Sequence, residues 1–385
     1  MEYFLSEQQK MIKDTARRIT EEMVIPTRAD LDEKEEFPWE IIKEIANVGL
    51  FRIFIPKEYE GWDGGSLDLC LAIEELSRGC CGVSISYAAV ALGTIPLLKY
   101  GADEQKKKYL PQIASGQRLA AFGLTESSAG SDAGAMKTTA LPDGDSYVLN
   151  GTKQFISNGG DAEIYSVIAL TNPNKGPRGA SAFIVEKDTP GFTFGKKEKK
   201  LGIRASSTRE LVFDNCRVPK ENLLGREGIG FIVTLKTLDE SRPGVASQGV
   251  GVAQGALEEA VAYTRERMKL GHTISSLQAV QHMLVDMATE VEAARALVYA
   301  VARTIDSGAT NYSEEAAMAK AFASDMAMRV TTNAVQILGR VGYRRDYPVE
   351  KMMRDAKIIQ IYEGTNQILR NDMAPHLFKR KAKRE

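Results

Sequence analysis

A single carboxylate, Glu363, lies between Tyr362 and Gly364 in the last part of the 385-residue sequence. The next two residues, Thr365 and Asn366, carry the hydroxyl and amide side chains that favour helix N-caps. A carboxylate on such a turn can act as a base when water is excluded from it, and backbone N–H groups at a helix start can polarise a substrate oxygen. Taken alone, these residues are more typical of an ordinary surface turn with a solvated glutamate.

A second stretch suited to binding is the loop from Phe122 to Gly134, which is crowded with glycine, serine and alanine. Its hydroxyl groups, among them Thr125 and Ser131, would let a planar ligand lie against the backbone. The stretch lacks the Gly-Lys-Ser/Thr ending of a phosphate-binding loop and the Gly-x-Gly-x-x-Gly pattern of a Rossmann site. A surface turn rich in glycine and serine would have the same composition.

A third stretch surrounds Asn150-Gly151, which separates two runs rich in β-branched and aromatic residues. This dipeptide predicts a hairpin with a type I′ turn, because both central positions of that turn need positive φ. In the second run, Phe155 and Ser157 alternate onto one face of a strand, so an aromatic wall and a hydroxyl would be presented together. An ordinary pair of strands would show the same alternation.

The elements that must position these residues fall into three parts. Residues 1–116 show helical periodicity and predict an all-α domain. Residues 117–225 alternate β-rich runs with turn residues and predict an antiparallel β-sandwich or barrel. The helical period returns over residues 226–385, which predicts a C-terminal four-helix bundle. The expected fold class is α+β, with a β domain between two helical domains.

Local signals within the helical parts predict several boundaries. Ser6 and Gln9 form a plausible capping box, and Pro26 is expected to end the helix that follows. Residues 231–240 and 253–268 predict two separate helices. The apolar stretch 82–98 is shorter than the ~20 residues of a membrane span and predicts a buried helix instead.

Composition excludes several kinds of protein. A net charge of -1 gives no electrostatic basis for binding nucleic acid or an anionic membrane. The four cysteines show no Cys-x-x-Cys spacing, which disfavours a zinc site, and no metal site is expected. The first residues lack a basic region followed by an apolar run, so no secretory signal is expected. These features favour a cytoplasmic protein without a membrane span.

Five motifs in order along the chain resemble the acyl-CoA dehydrogenase family, and particularly its short- and medium-chain members such as butyryl-CoA dehydrogenase. The motifs are the loop 124–132, the segment 150–158, the pair Asp239 and Arg242, the segment 266–271 and the segment 362–365. The resemblance covers essentially the whole chain. It implies an FAD enzyme that removes a proton and a hydride from neighbouring carbons of an acyl-CoA thioester.

The resemblance also implies roles for individual residues. Glu363 matches the catalytic base, and its backbone N–H would bind the thioester carbonyl while flavin N5 accepts the hydride. The positions that match FAD contacts are Phe122, Leu124, Thr125, Ser131, Phe155, Ser157, Arg267, Leu270, Gln278, Gln336, Gly339, Thr365 and Gln367. Of these, Arg267, Gln278, Gln336 and Gly339 would reach the cofactor from a neighbouring subunit. The positions that match substrate contacts are Ala88, Ser131, Asp239, Arg242, Tyr362 and Gly364, with Arg370 as a further candidate.

Some residues depart from the family pattern. Ser241 stands where some members carry the base, and a serine cannot serve in that role; Glu240 beside it would point about 100° around the helix. Leu270 replaces a usual phenylalanine, and Arg340 replaces a usual glycine, at the adenine end of the FAD site. The stretch 84–92, which aligns with the base of the acyl pocket, contains small residues and no charge. This favours a neutral short- to medium-chain acyl group, linear, branched or cyclic.

The resemblance implies a homotetramer that passes electrons to an electron-transferring flavoprotein. Two alternatives remain open at the level of sequence. An acyl-CoA oxidase or a flavin monooxygenase has the same fold but lets reduced flavin react with oxygen. A binding protein that has lost flavin would keep the fold and remain colourless when FAD is added.

Overall fold

The computed structural model describes residues 3–269 and 272–382 of the chain. The first part is helical, as predicted. Its helices are α1 (Glu7–Ile19), α2 (Ile25–Lys34), α3 (Trp39–Asn47), α4 (Ser66–Gly79), α5 (Cys81–Tyr100) and α6 (Asp103–Ala114). The capping box at the start of α1 is present, because Ser6 accepts a hydrogen bond from the backbone of Gln9 and the Gln9 side chain accepts one from the backbone of Ser6.

The prediction that Pro26 ends the first helix is wrong. A short π-helical segment, Thr20–Val24, follows α1 directly, and Pro26 lies in the first turn of α2. The backbone N–H of Ile25 donates to the carbonyl of Thr20, five residues back, so the wider π-helical turn lies directly before Pro26. The π-helical segment therefore lets the chain stay helical from α1 to the end of α2.

The middle part is a sheet of eight strands. They are β1 (Ala120–Gly123), β2 (Thr139–Asp143), β3 (Ser146–Ser157), β4 (Ile164–Leu170), β5 (Ala180–Glu186), β6 (Phe192–Phe194), β7 (Thr208–Pro219) and β8 (Leu223–Leu224). The order across the sheet is β6-β7-β3-β2-β4-β5-β8, and β1 pairs with β4. Most pairings are antiparallel, as expected, but β1 and β2 both run parallel to β4. The sheet is therefore mixed.

The hairpin predicted at Asn150-Gly151 does not form. Both residues lie inside the continuous strand β3, and only Gly151 of the two has positive φ. The register of β3 against β7 shifts between Leu149 and Gly151, which is a bulge and not a turn. The Asn150 side chain accepts a hydrogen bond from the backbone N–H of Asn215 on β7 at 2.8 Å. Pairing with β2 on one side and β7 on the other outweighs the local turn signal.

The last part is again helical. Its long helices are α7 (Gly230–Glu266), α8 (Gln278–Asp306), α9 (Ser313–Leu338), α10 (Val349–Ile359) and α11 (Asn366–Ala382). Two short strands, β9 (Met268–Lys269) and β10 (His272–Thr273), lie between α7 and α8. The prediction of two separate helices over residues 231–268 is wrong, because α7 continues through Pro243 and Gly244.

Glycines bring α7 unusually close to α4. A Cβ atom on Gly251 would lie 2.1 Å from the carbonyl oxygen of Glu74, and one on Gly255 would lie 2.3 Å from that of Arg78. Real Cβ atoms cannot approach so closely, so only glycine allows this contact. The spacing of the two helices is thereby fixed along one side of the molecule.

Helix α5 has the length and composition of a membrane span, but its most apolar 18-residue window is 83% buried inside the fold. The predicted buried helix is therefore present as a core element, and it is longer than the sequence pattern indicated. Buried hydrophobic residues from all three parts of the chain form one continuous cluster. This shared core holds the helical and β parts in fixed positions around the site described next.

Candidate active site

The Glu363 turn joins the end of α10 to the start of α11. Glu363 has φ 51° and Gly364 has φ 95°, so two consecutive residues adopt left-handed conformations. Such a conformation costs a non-glycine residue about 1 kcal/mol or more, and it persists only when the surroundings enforce it. The Thr365 hydroxyl accepts a hydrogen bond from the backbone N–H of Ile368 at 3.2 Å and caps α11. The helix start predicted at Thr365-Asn366 is confirmed.

A cavity of about 1120 Å³ opens in front of this turn. Its walls come from α4 and α5, the sheet, α7 and the Glu363 turn. Twelve residues selected from the sequence line it: Ala88, Phe122, Leu124, Thr125, Ser131, Phe155, Ser157, Arg242, Tyr362, Glu363, Gly364 and Thr365. The fold thus gathers most of the predicted positions, which are distant in sequence, around one space large enough for a cofactor and a substrate.

The Glu363 carboxylate is partly buried in the cavity wall and accepts a hydrogen bond from the Ser241 hydroxyl of α7. Burial raises the pKa of Glu363, while the Ser241 hydrogen bond and the positive charges of Lys320 and Arg242 oppose that rise. A carboxylate whose charged form is poorly solvated is a stronger base than one in water. Glu363 therefore has the environment of a general base.

The loop opposite is held by a buried ion pair. Lys153 of β3 is fully buried and donates to the carbonyl of Leu124 at 3.0 Å and to the Glu126 carboxylate at 2.8 Å. Glu126 also accepts the backbone N–H groups of Lys137 at 2.7 Å and Thr138 at 3.0 Å. Burial opposes ionisation of Glu126, but Lys153 and these N–H groups hold its pKa below the usual range. The pair fixes both ends of the small-residue loop.

The wall formed by the sheet presents an aromatic ring and hydroxyl groups to the cavity. Phe155 lines the cavity with 58% of its side chain exposed, although its strand is part of a packed sheet. Thr125 and Ser157 place hydroxyl groups on the same wall, and the buried hydroxyl of Thr208 has no hydrogen-bond partner within residues 3–269 and 272–382. An exposed aromatic face beside hydroxyl groups suits a planar heteroaromatic ring with polar edges.

Two charged residues of α7, Asp239 and Arg242, lie near the Glu363 turn, and we call this pair the polar arm. Arg242 is buried, lies beside Gly364 and donates to Asp239 at 2.9 Å. Asp239 also accepts a hydrogen bond from Ser313 and does not itself line the cavity. Its role in the geometry is to hold the guanidinium of Arg242 in place. Glu240, the neighbouring residue, forms an ion pair with Lys99 at the cavity wall.

The other end of the cavity is apolar. Its walls on α4 and α5 consist of uncharged side chains, namely Leu69, Ile73, Ile85, Ala88, Ala89, Ala91, Leu92 and Ile95. Tyr362 donates a hydrogen bond to Gln248 of α7, and this partly buried contact joins α7 to the Glu363 turn. An apolar wall thus lies in the same cavity as the Glu363 carboxylate.

Several predicted positions lie outside the cavity wall. Arg267, Gln278, Gln336, Gly339 and Gln367 are exposed on this chain and do not line the cavity. Leu270 lies outside the described residues. Arg370 does not join the polar arm, since it donates to Asp325 at 2.7 Å and lines a separate shallow cavity between α8, α9 and α11. The cavity of the single chain therefore gathers only part of the positions predicted to bind FAD.

Some residues at the site escaped the sequence predictions. Ser241 is marked in the sequence only as a position without a base, yet it is the hydrogen-bond donor to Glu363. Lys320 is buried and donates to the carbonyl of Gly364. Its one available signal is that no other residue between Glu315 and Asp325 carries a charge. The partner of such an isolated cation cannot be read from sequence, because it comes from a distant loop.

Comparison with known families matches three stretches of the chain. Residues 6–117 match the N-terminal domain of acyl-CoA dehydrogenases, residues 121–216 the middle domain and residues 228–378 the C-terminal domain. The matched stretches follow one another through the helical, β and helical parts. The chain belongs to the acyl-CoA dehydrogenase family, a class of flavoprotein oxidoreductases.

Individual relatives agree with this assignment. The short-chain-specific acyl-CoA dehydrogenase of Clostridium acetobutylicum is 45% identical over 381 residues, which cover 98% of this chain and 100% of that one. The butyryl-CoA dehydrogenase structure from Megasphaera elsdenii superposes with a TM-score of 0.96 at 43% identity, covering 98% and 100% of the two chains. A structure from a study of the electron transferring flavoprotein of Acidaminococcus fermentans and flavin-based electron bifurcation has a TM-score of 0.96 at 50% identity, covering 98% and 99%. The chain is thus similar to short-chain members over its full length.

Proposed function

We propose that the protein catalyses the FAD-dependent α,β-dehydrogenation of a neutral short- to medium-chain acyl-CoA thioester to the 2-enoyl-CoA. The observation that carries this proposal is the position of Glu363. Its carboxylate lies in the wall of one cavity, with the exposed ring of Phe155 on the sheet side and the apolar residues of α4 and α5 on the helical side. A base, a site for a planar cofactor and an acyl pocket thus share one space.

Glu363 takes the proton from the carbon next to the thioester carbonyl. That proton is weakly acidic until the carbonyl is polarised, so we assign the polarising hydrogen bond to the backbone N–H of Glu363 itself. Burial already raises the pKa of the carboxyl group, and an acyl chain that displaces water would strengthen it further as a base. FAD, when bound, would supply the acceptor for the hydride that leaves the neighbouring carbon.

The residues assigned to FAD within this chain are those of the sheet wall and of the turn, chiefly Phe122, Leu124, Thr125, Phe155 and Thr365. Hydroxyl groups and the aromatic ring of Phe155 suit the flavin ring. Arg267, Gln278, Gln336 and Gly339 are exposed on this chain, so we propose that they complete the diphosphate and adenine end of the site in a neighbouring subunit. A planar guanidinium pairs well with phosphate oxygens. The proposed assembly is a homotetramer.

The substrate assignment rests on charge and size. Uncharged side chains line the cavity on α4 and α5, so a second carboxylate on the acyl chain would meet no cation on that wall. The hydrogen bond between Tyr362 and Gln248 ties the turn to α7 at the cavity wall, and we take this to favour a short chain. Arg242, held by Asp239, and Ser131 are assigned to the CoA arm.

The proposed electron acceptor is an electron-transferring flavoprotein, and the proposed location is the cytoplasm. The family, the full-length likeness to short-chain enzymes and the structure from the Acidaminococcus study support the acceptor. An oxidase on the same fold would instead release peroxide.

Anaerobic bleaching of the bound flavin by a panel of acyl-CoA thioesters tests the proposal. We expect butyryl-CoA and close neutral analogues to bleach the flavin rapidly, and 2-enoyl-CoA to be the product. Bleaching by none of the thioesters would contradict a dehydrogenase. In air, rapid peroxide formation during turnover would support the oxidase alternative, whereas purified protein that stays colourless with FAD would support a binding protein.

A further inference from the structure

Lys320 is a buried cation placed directly behind the Glu363 turn. It lies on α9 with 0% of its surface exposed. Its ammonium group donates to the carbonyl of Gly364 at 2.7 Å and to the side-chain oxygen of Asn366 at 3.1 Å. These acceptors belong to the residue after Glu363 and to the first residue of α11. Lys320 therefore binds the turn on the side away from the cavity.

Asn366 extends this contact along α9. Its amide donates to the Ser324 hydroxyl at 2.8 Å and to the Asp325 carboxylate at 2.8 Å. Gln360, on the other side of the turn, donates to the same carboxylate at 2.6 Å. Lys320, Ser324 and Asp325 thus hold both ends of the turn, and they leave the Glu363 side chain facing the cavity.

The turn needs such support because its backbone is strained. Glu363 and Gly364 both have positive φ, and a glutamate in that region relaxes unless neighbouring contacts prevent it. The carbonyl that Lys320 binds is part of the second left-handed residue. A neutral donor would be enough to satisfy that carbonyl, so the positive charge requires a separate explanation.

The charge of Lys320 faces three other charged groups. They are Glu363 on the turn, Arg242 on α7 and Asp325 on α9 itself. Burial lowers the pKa of Lys320 to about 7, and Arg242 adds to this, whereas Glu363 and Asp325 favour the charged form. In return, the ammonium group favours the ionised form of Glu363. A buried cation is costly to keep, and here its charge acts on the carboxylate.

We propose that Lys320 is a positioning residue for the reaction, which fixes the Glu363 turn through Gly364 and Asn366 and uses its charge to keep the Glu363 carboxylate ionised. This rests on the proposed function, in which Glu363 is the base. Lys320 acts through Glu363 and touches neither the acyl group nor the cofactor position, since it does not line the cavity.

The test compares Lys320→Met, which removes the donor and the charge, with Lys320→Gln, which keeps a neutral donor. Arg329→Met is the matched control, because Arg329 is an exposed cation on the same helix that pairs with Glu290. For each holoenzyme, kcat and KM for butyryl-CoA are measured from about pH 6 to about pH 9. FAD content and the urea midpoint of unfolding are measured in parallel.

We expect Lys320→Met to lower kcat at neutral pH by about tenfold or more, with a smaller change in KM. The acidic limb of its kcat profile should move about 1 pH unit higher, because the carboxylate loses a nearby positive charge. Lys320→Gln should show the same shift with a smaller loss of kcat. Arg329→Met should match the wild type, and FAD content should stay near stoichiometric in all three variants.

An acidic limb that stays at the wild-type pH in both Lys320 variants would overturn the proposal. Loss of FAD and early unfolding of both variants would also overturn it, because Lys320 would then be a structural residue. Failure of the proposed function is distinguished by Glu363→Gln: a near-normal rate in that variant removes Glu363 as the base whatever Lys320 does. An inactive Glu363→Gln with an unmoved limb in the Lys320 variants would overturn the Lys320 proposal alone.

Discussion

The hydroxyl of Ser241 on α7 donates a hydrogen bond to the Glu363 carboxylate, and the two residues are 122 positions apart in the sequence. The hydroxyl cannot act as a base, but a donor to the charged form of a carboxylate lowers its pKa. Ser241 thus offsets part of the rise in the pKa of Glu363 that burial causes. Burial is the larger of the two effects, so the pKa of Glu363 stays above its ordinary value.

Ser241→Ala is expected to raise the pKa of Glu363, because the charged form loses a hydrogen bond while its burial is unchanged. Turnover should fall at acidic pH and approach the wild-type rate at high pH, so the acidic limb of kcat moves up by about 0.5 to 1 pH unit. Steady-state kcat against pH checks this. Ser247→Ala, a change on the same helix away from the cavity wall, should leave the limb in place. An unmoved limb in Ser241→Ala would show that the hydroxyl does not tune the base.

Glu363→Gln is expected to bind flavin normally but to lower turnover by about 10³-fold or more, because an amide of the same shape cannot accept the proton. Flavin absorbance and the rate of anaerobic bleaching measure the two effects. Glu240→Gln is the matched control, since Glu240 also lines the cavity but pairs with Lys99. Its kcat should remain within about threefold of the wild type. The reverse pattern would assign the base to Glu240.

The acyl pocket should discriminate against a second carboxylate. Glutaryl-CoA is expected to have a kcat/KM at least about tenfold below that of butyryl-CoA, because its terminal carboxylate would be buried among uncharged side chains of α4 and α5. Pentanoyl-CoA, which has the same chain length without the charge, separates charge from size. Faster turnover of glutaryl-CoA than of butyryl-CoA or cyclohexanecarboxyl-CoA would rule out a neutral pocket.

The buried lysine at the turn has a separate effect on stability. Its pKa is lowered from 10.5 to about 7 in the folded protein, so the unfolded chain binds more protons between these two values. The contribution of Lys320 to the free energy of unfolding should therefore increase as pH rises from about 7 to 10.5. This gain in stability is lost as pH falls back towards 7. The wild type should gain up to about 1.4 kcal/mol per pH unit relative to Lys320→Met. Urea unfolding of both proteins across the window measures the difference, and parallel curves would refute it.

The ion pair behind the small-residue loop should matter for folding and flavin binding. Lys153→Met leaves Glu126 buried without its cation and is expected to cost about 3 kcal/mol of stability, with loss of FAD content. Adding Glu126→Gln should recover part of this, because the unpaired charge is removed. Lys137→Met is the control, since Lys137 is exposed and binds Glu126 only through its backbone. Equal stability of Lys153→Met and the control would contradict a role for the pair.

The sequence predicted the parts of the site whose signals are local. The turn around Glu363 and the start of α11 follow from residue types within a few positions, and the predicted cavity residues from Ala88 to Thr365 follow from the family motifs. It did not predict Lys320 or the new role of Ser241, because each meets its partner only when helices distant in sequence pack together. The contact of Ser241 with Glu363, 122 positions away, cannot be predicted from the spacing of neighbouring residues.

The incorrect predictions have a common physical cause. Asn150-Gly151 carries a strong hairpin signal, yet both residues lie inside a strand that has partners on each side. Pro26 and Pro243 are local helix breakers, yet packing keeps the chain helical on both sides of each. Local propensities of about 1 to 3 kcal/mol are smaller than the sum of the tertiary contacts that oppose them.

The glycine contacts between α7 and α4 determine where the acyl pocket can change. A side chain at Gly251 or Gly255 would collide with the backbone of α4 and force the two helices apart. Ser241, whose hydroxyl reaches Glu363, lies on the same α7, so we expect this side of the cavity to tolerate little change in helix spacing. Ala88 and Ala89 on α5 face the same cavity without this constraint. New acyl specificities should be sought there, where a larger side chain shortens the pocket and leaves the base in place.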